Sequence, residues 1–397
     1  MIFRKLREYL RSIQWASGPP AVASVVAASG IIFTIAFNYF PDEWSVPDKL
    51  PRYFGSLLLA LCVSTGLFAW LVWRGKNVPD YRWLAMATTV GNRIAKQLRA
   101  DDQGNVGIGH FLDDQLVSIS PLSTAYAARA ILACPRAVTD APLVQLYESL
   151  GASNLGQGWK AASQAGARPE VTSDILRTIR ELSGDSEQYR IGITHLQAQV
   201  DKDPTCLKDA YVASNALAAL PDMTTSQAIL LRDVIDRGFC SDGVSGFWGE
   251  SLARGVEENQ ASAWATARCL IALAMHPELR RRETSRNMAQ KAFQYLAGAP
   301  AFGRETSQLV RQVPGARDEN LAPRHFTSAL VVIAATSWHE ISGAKAVALK
   351  ALAGVHDAFQ DDSWRWTDGS KPVWMNAQGI EAISAYFSTA WAKIDAT

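Results

Sequence analysis

Six stretches of this chain are helical in pattern but too small-sided and apolar to sit on a surface. They are "SPLSTAYAARAILA" (120–133), "RPEVTSDILRTIREL" (168–182), "TCLKDAYVASNALAAL" (205–220), "NQASAWATARCLIALA" (259–274), "APRHFTSALVVIAATSW" (322–338) and "VWMNAQGIEAISAYF" (373–387). A helix built of Ala, Ser and Leu has no wet face, so it must touch protein on nearly all sides. Between these stretches lie more charged, amphipathic helices near 84–99, 140–150, 186–201, 225–237, 282–297 and 343–358. "RRETSRNMAQKAFQYLAG" shows the pattern best, with one apolar stripe and a basic opposite face. No stretch after residue 84 alternates convincingly enough to read as a strand.

Two concentric rings of helices satisfy this alternation, with small-residue helices inside and amphipathic ones outside. Six hairpins close such a ring and leave no segment over. The fold class expected is therefore all-α, an (α/α)6 toroid over residues 84–395. An open solenoid of the TPR or HEAT type is the rival, but its repeats are more regular in length. The loops "GFCSDGVSGFWGESLARGVEENQ" and "QDDSWRWTDGSKPVWMNAQ" each place Gly, Asp and aromatic residues ahead of an inner helix. This resembles the squalene-cyclase-like repeat of the prenyltransferase and terpenoid-cyclase toroid superfamily, in which a G-x-W or F-W element precedes an inner helix.

The 48% hydrophobic content has a second source. Residues 20–40 and 53–73 contain no charged side chain, and each is long enough to cross a bilayer core of roughly 30 Å as a helix. Tyr39, Phe40, Trp70 and Trp73 flank them as interfacial aromatics do. Arg4, Lys5, Arg7 and Arg11 precede the first run, and Arg74, Lys76 and Arg82 follow the second. The positive-inside rule then gives a multi-pass protein of the inner membrane with both termini cytoplasmic. Residues 1–19 form a basic cytoplasmic segment and 41–52 an external loop. Ala23, Ser24, Ala27 and Ala28 place small residues four apart, a spacing for helix pairing within one chain or for a homo-oligomer. Five scattered cysteines without CxxC spacing fit a reducing compartment. A net charge of +1 gives no electrostatic reason to expect nucleic acid.

In toroids of the resembled superfamily, the mouth lies at the N-termini of the inner helices. The cyclase branch protonates an alkene with a D-x-D-D acid, and this chain has only the pairs Asp101-Asp102, Asp113-Asp114 and Asp361-Asp362. The protein prenyltransferase branch holds zinc with Asp, Cys and His. Here Glu258 and His325 stand in matching places, but Gln260 replaces the thiolate, and an amide is a poor zinc ligand. No metal and no cofactor are expected. A glycosidase needs two facing carboxyls; Glu257 or Glu258 with Asp318, Glu319, Asp368 or Asp209 would supply a pair. No P-loop, GxSxG or HExxH pattern occurs.

Each of these residues also has a plain structural reading. Glu257, Glu258 and Asn259 suit the start of a helix. Arg324 and His325 oppose the helix dipole there, which points to an anion or a carboxylate partner. Trp248, Trp264, Trp364, Trp366 and Trp374 either wall a pocket or wedge helices apart. The ligand-binding set expected is Trp248, Glu257, Glu258, Gln260, Arg324, His325, Trp364, Trp374 and Asn376, with Glu258, His325 and Asp318 as catalytic candidates. The leading expectation is a membrane-anchored toroid that binds a ligand, peptide or partner protein, as an oligomeric effector or scaffold in a bacterial defence or envelope system. The alternatives are an enzyme acting on a lipid or isoprenoid (polyprenyl) substrate and a glycan-active enzyme.

Overall fold

The computed structural model describes residues 81–113, 118–136, 138, 141–161, 166–253, 260–311, 319–389 and 391. The chain divides into two units, Met1–Val78 and Pro79–Thr397, and every described residue lies in the second. Among the described residues no helix is long and apolar enough to cross a membrane. That finding corrects the expected multi-pass inner-membrane location. The runs 20–40 and 53–73 that had prompted it, with Ala23, Ser24, Ala27 and Ala28, lie outside the described residues.

Six inner helices are α2 (Pro121–Ala133), α4 (Pro169–Ser183), α6 (Ala210–Ala219), α8 (Ala263–Ala274), α11 (Thr327–Ser337) and α13 (Val373–Ser388). Their outer partners, each preceding its inner helix, are α1 (Tyr81–Lys96), α3 (Leu143–Ala152), α5 (Glu187–Lys202), α7 (Ser226–Arg237), α10 (Glu283–Gly298) and α12 (Ala344–Asp357). A short α9 (Pro277–Arg281) leads into α10. Each inner helix packs on the next, and α13 packs back on α2, so the ring closes. The sequence explains which ring each helix joins. Every residue from Ser123 to Ile131 of α2 is buried. In α5 only Tyr189, Gly192, Leu196 and Val200 are buried, a single stripe at helical spacing.

Three of the inner helices start where a side chain satisfies their free N–H groups. Ser120, Asp209 and Ser262 accept from backbone amides in the first turns of α2, α6 and α8. The fourth inner helix therefore begins after Ser262, later than the sequence pattern indicated. Gln260 is an exposed residue outside it.

Among the described residues, ten strands of two or three residues form five antiparallel pairs in the loops. They are too short for any alternation to be seen in the sequence. Three are hairpins between an outer and an inner helix: β1 (Arg99–Ala100) with β2 (Val106–Gly107), β3 (Phe239–Ser241) with β4 (Gly246–Trp248), and β9 (Phe359–Gln360) with β10 (Ser363–Trp364). Asp361 and Asp362 form the last of these turns, both at positive φ, a conformation Asp tolerates better than most residues. That is the structural use of one Asp pair. In a second, Asp113 is held well below the usual carboxylate range by hydrogen bonds from Arg93, Lys371 and Gln97.

A second repeat emerges around tryptophan. In the second, fourth and sixth hairpins, the indole N–H of Trp159, Trp248 and Trp364 donates to Leu150, Ile235 and Val355 carbonyls near the outer-helix ends, at 2.7, 2.8 and 2.9 Å. The backbone N–H of each donates to an inner-helix side chain, Thr172, Thr266 or Asn376. All three rings are fully buried. Trp248, Trp364 and Asn376, expected at a ligand pocket, thus join the two rings of helices. Their polar atoms bond to protein and none of the three reaches solvent.

Candidate functional site

Alternating hairpins run all six inner helices in one direction, so their N-termini share one mouth. A β arm crosses it. The arm joins α10 to α11 and contains β5 (Glu305–Thr306), β6 (Leu309–Arg311), β7 (Glu319–Leu321) and β8 (Arg324–His325), paired β5 with β8 and β6 with β7. It leaves at the fifth inner helix and fastens at the second, α4, the opposite member of the ring. There the Arg311 guanidinium donates to Glu170 in the first turn of α4 and to Asp203, both at 2.6 Å. Arg168 donates to Glu319 at 2.9 Å. Glu170 is buried, and burial pushes its carboxyl above the ordinary value despite Arg311.

The arm decides where the expected mouth residues lie. His325 belongs to β8 and precedes α11. It is fully buried, stacked on Trp264 with centroids 3.8 Å apart and edge-on to Tyr211. Its Nε2 shares a hydrogen with Ser307 at 2.8 Å. Burial, with the nearby Arg268 charge, lowers its pKa well below the ordinary value, which favours the neutral imidazole. Arg324 faces outward over the Trp366 ring and pairs with Asp368 at 3.1 Å, the carboxylate partner its position implied. Trp374 is half-buried against Trp366. Glu257, Glu258, Asn259 and Asp318 lie outside the described residues. The structure therefore buries His325 at the mouth against Trp264 and turns the adjacent Arg324 outward to Asp368, while Gln260 is exposed.

Below the arm, all six inner helices contribute to one axial cavity of about 30 Å³. At roughly 10–15 Å³ per molecule, that is room for a few waters. Its walls are polar for so apolar a ring. The sixth residue of five inner helices faces it: Tyr126, Asp174, Asn215, Arg268 and Gln378. One turn further in are Arg129, Arg177 and Glu381. None of these eight was singled out from the sequence, although a lone polar residue at the same place in successive Ala-rich helices is a readable signal.

One side of the cavity is an ion-pair cluster. Arg129 bonds to Glu381 at 2.7 Å and to Asp174 at 3.4 Å, and Tyr126 donates to Asp174 at 2.9 Å. Burial works against the Arg129 charge, but Glu381, Glu181 and Asp174 together raise its pKa. Arg177 is lowered by burial and by Arg129, while burial raises Glu381.

Arg268 on the other side differs. It lies over the Tyr211 ring at 4.6 Å and donates to Asn215 Oδ1 at 2.9 Å, while its buried Nε has no partner. Among the described residues no carboxylate pairs with it. A guanidinium is always charged, and an unpaired buried charge is costly to keep. Among the described residues, no group of three or more His, Cys, Asp or Glu is placed to hold a metal ion.

Solved structures share this architecture. The type II terpene cyclase MstE from Scytonema aligns over 77% of this chain and 98% of its own, at 15% identity and a TM-score of 0.51. An inactive variant of the alpha-1,6-mannanase GH76A of Salegentibacter, in complex with alpha-1,6-mannotriose, aligns over 76% and 98%, at 8% identity and a TM-score of 0.51. At such identities the likeness defines the fold, and the described unit is an (α/α)6 toroid. No family model and no curated protein matches the chain.

Proposed function

We propose that this toroid is a binding module whose axial cavity takes a small, negatively charged polar molecule. The observation that carries the reading is Arg268, a buried guanidinium on the wall of a central cavity for which the described residues supply no carboxylate partner. A protein retains such a charge where a ligand completes it, because leaving it bare destabilises the fold. The cavity's size favours a small polar ligand over an isoprenoid chain or a sugar chain.

Titration of the full-length protein with a panel of small anions (formate, nitrate, bicarbonate, phosphate) tests this. At least one should bind, and Arg268→Met should weaken it by about 30-fold or more, the loss for truncating one member of a buried charge pair. The same substitution should leave ligand-free stability no lower than that of the unaltered protein. Absence of any anion binding that depends on Arg268 would sink the reading.

An enzyme is the second reading, since both structural neighbours are named as enzymes. Asp209 favours it. Burial pushes this carboxyl at the mouth up to about 7, against the two amide hydrogen bonds it accepts as the cap of α6. A carboxylic acid half-protonated near neutrality is a usable proton donor. Conversion of a polyprenyl or glycan substrate that Asp209→Asn abolishes would support this reading. Lack of conversion across such a panel would count against it.

The same shift gives a stability prediction. A carboxyl whose folded value is raised stabilises most below its unfolded value of 3.8, and the contribution is lost as pH rises through about 7. Asn keeps the cap and cannot ionise. Asp209→Asn should match the unaltered protein at pH 4 and exceed its stability at pH 8 by about 2–3 kcal/mol, allowing for the partial exposure of the side chain. Equal denaturation midpoints at both pH values would refute it.

A further inference from the structure

The axial cavity carries more information than the sign of its ligand. Besides the Arg268 Nε, the buried Asn215 Nδ2, Arg177 Nε, Gln378 Oε1 and Glu381 Oε1 have no hydrogen-bond partner. All five belong to side chains that line the cavity. Asn215, Arg268 and Gln378 are each more than nine-tenths buried. Buried polar atoms are seldom left unpaired in a native fold, and five on side chains around one cavity point to a ligand that satisfies several of them.

Their placement sorts them by role. The donors come from α4, α6 and α8, the second, third and fourth inner helices. Both acceptors come from α13, the sixth, which lies opposite α6 across the ring. Because Asn215 Oδ1 already accepts from Arg268 Nη1, its amide orientation is fixed with Nδ2 as the free donor. Glu381 Oε2 is taken by Arg129, which leaves Oε1 as the free acceptor. A ligand that fits must therefore accept on one side and donate on the other. Nitrate or formate has nothing to give Glu381.

We infer that the axial cavity binds a small oxyanion that keeps a hydroxyl group, of the class and size of bicarbonate. Its unprotonated oxygens meet Arg268 Nε and Asn215 Nδ2, and its hydroxyl donates to the α13 acceptors, Glu381 Oε1 first and Gln378 Oε1 one turn away. The lining side chains match this in charge, with Arg129, Arg177 and Arg268 facing Asp174 and Glu381. The Arg129 and Arg177 side meets those carboxylates, with Glu181 acting on it from behind, and Arg268 is left for the ligand. This inference rests on the proposed binding function and specifies its ligand.

Nitrate is the control, because it has the planar shape and single charge of bicarbonate without the hydroxyl. Calorimetric titration of the full-length protein should show bicarbonate binding about tenfold more tightly than nitrate, the difference expected for one net hydrogen bond to a charged group. In Glu381→Gln the new amide can donate to nitrate, so the preference should fall towards one. Should that variant fail to fold, Gln378→Met should reduce the preference in the same direction. Equal affinities for the two anions, both abolished in Arg268→Met, would overturn the hydroxyl assignment and leave the binding function standing. A cavity filled by water only, with no anion taken up, would overturn both.

Discussion

Trp364→Ala is expected to destabilise the toroid by about 3–5 kcal/mol, the range for emptying a fully buried large aromatic site. Three losses combine. The ring is completely buried between α12 and α13. Its indole N–H leaves the Val355 carbonyl without the bond that closes the end of α12. The void would open against Gly379, whose missing side chain makes the room: a Cβ there would stand 2.5–2.7 Å from the indole. Trp248→Ala should cost a similar amount, because the fourth hairpin repeats the arrangement with Ile235. Trp374→Ala is the control, since that ring is half-buried against Trp366 and should cost less than about 2 kcal/mol. Urea unfolding followed by circular dichroism measures all three. If Trp364→Ala kept its stability and instead lost ligand binding, the ring would be a pocket wall after all.

The ring architecture was legible because burial on all sides leaves a compositional mark. Ala-rich segments such as 205–220 and 259–274 carry it, and the outer helices carry a single stripe. The caps were legible in kind but not in place. Asn259 and Gln260 look like the head of a helix, yet Ser262 takes that role because its hydroxyl reaches the Ala265 amide. The β arm was not legible, because its strands are two or three residues long. That omission had a consequence for the site. Without the arm, Arg324 and His325 look like a basic pair at a helix start. With it, they alternate along a strand, one outward to Asp368 and one inward to Trp264.

The cavity residues were missed for a different reason. Attention to helix N-termini passes over the sixth position, where Asn215 and Arg268 read as minor interruptions of apolar helices. Their meaning depends on ring closure, which sets α6, with α8 beside it, across the bore from α13. Polar atoms drawn from helices far apart in the chain become one site only when the toroid is complete. Likeness to a cyclase and a mannanase therefore extends to the scaffold alone: the fold supplies inward-facing positions, and the residues placed there decide the chemistry.

Arg311→Met should release the arm and cost about 3–5 kcal/mol, because it strands a buried carboxylate without its partner. Glu170 is the residue stranded. It is 3% exposed, its carboxyl is already raised by burial, and Arg311 is the guanidinium that holds it in the charged form. Asp203 is less affected, since it still accepts from the Thr205 amide. Loss of the guanidinium raises the Glu170 value further. A group raised in the folded state stabilises below its unfolded value and loses that contribution as pH rises, so the deficit should shrink in acid and widen towards neutrality. Adding Glu170→Gln to Arg311→Met removes the charge altogether and should restore most of the stability at neutral pH. Hydrogen exchange gives the spatial test. In Arg311→Met, amides of 305–311 and 319–325 should lose protection before those of α4 or α11. A pH-independent deficit below about 1 kcal/mol, with the arm still protected, would mean that the strand pairs and the Arg168–Glu319 pair hold it across the mouth without Arg311.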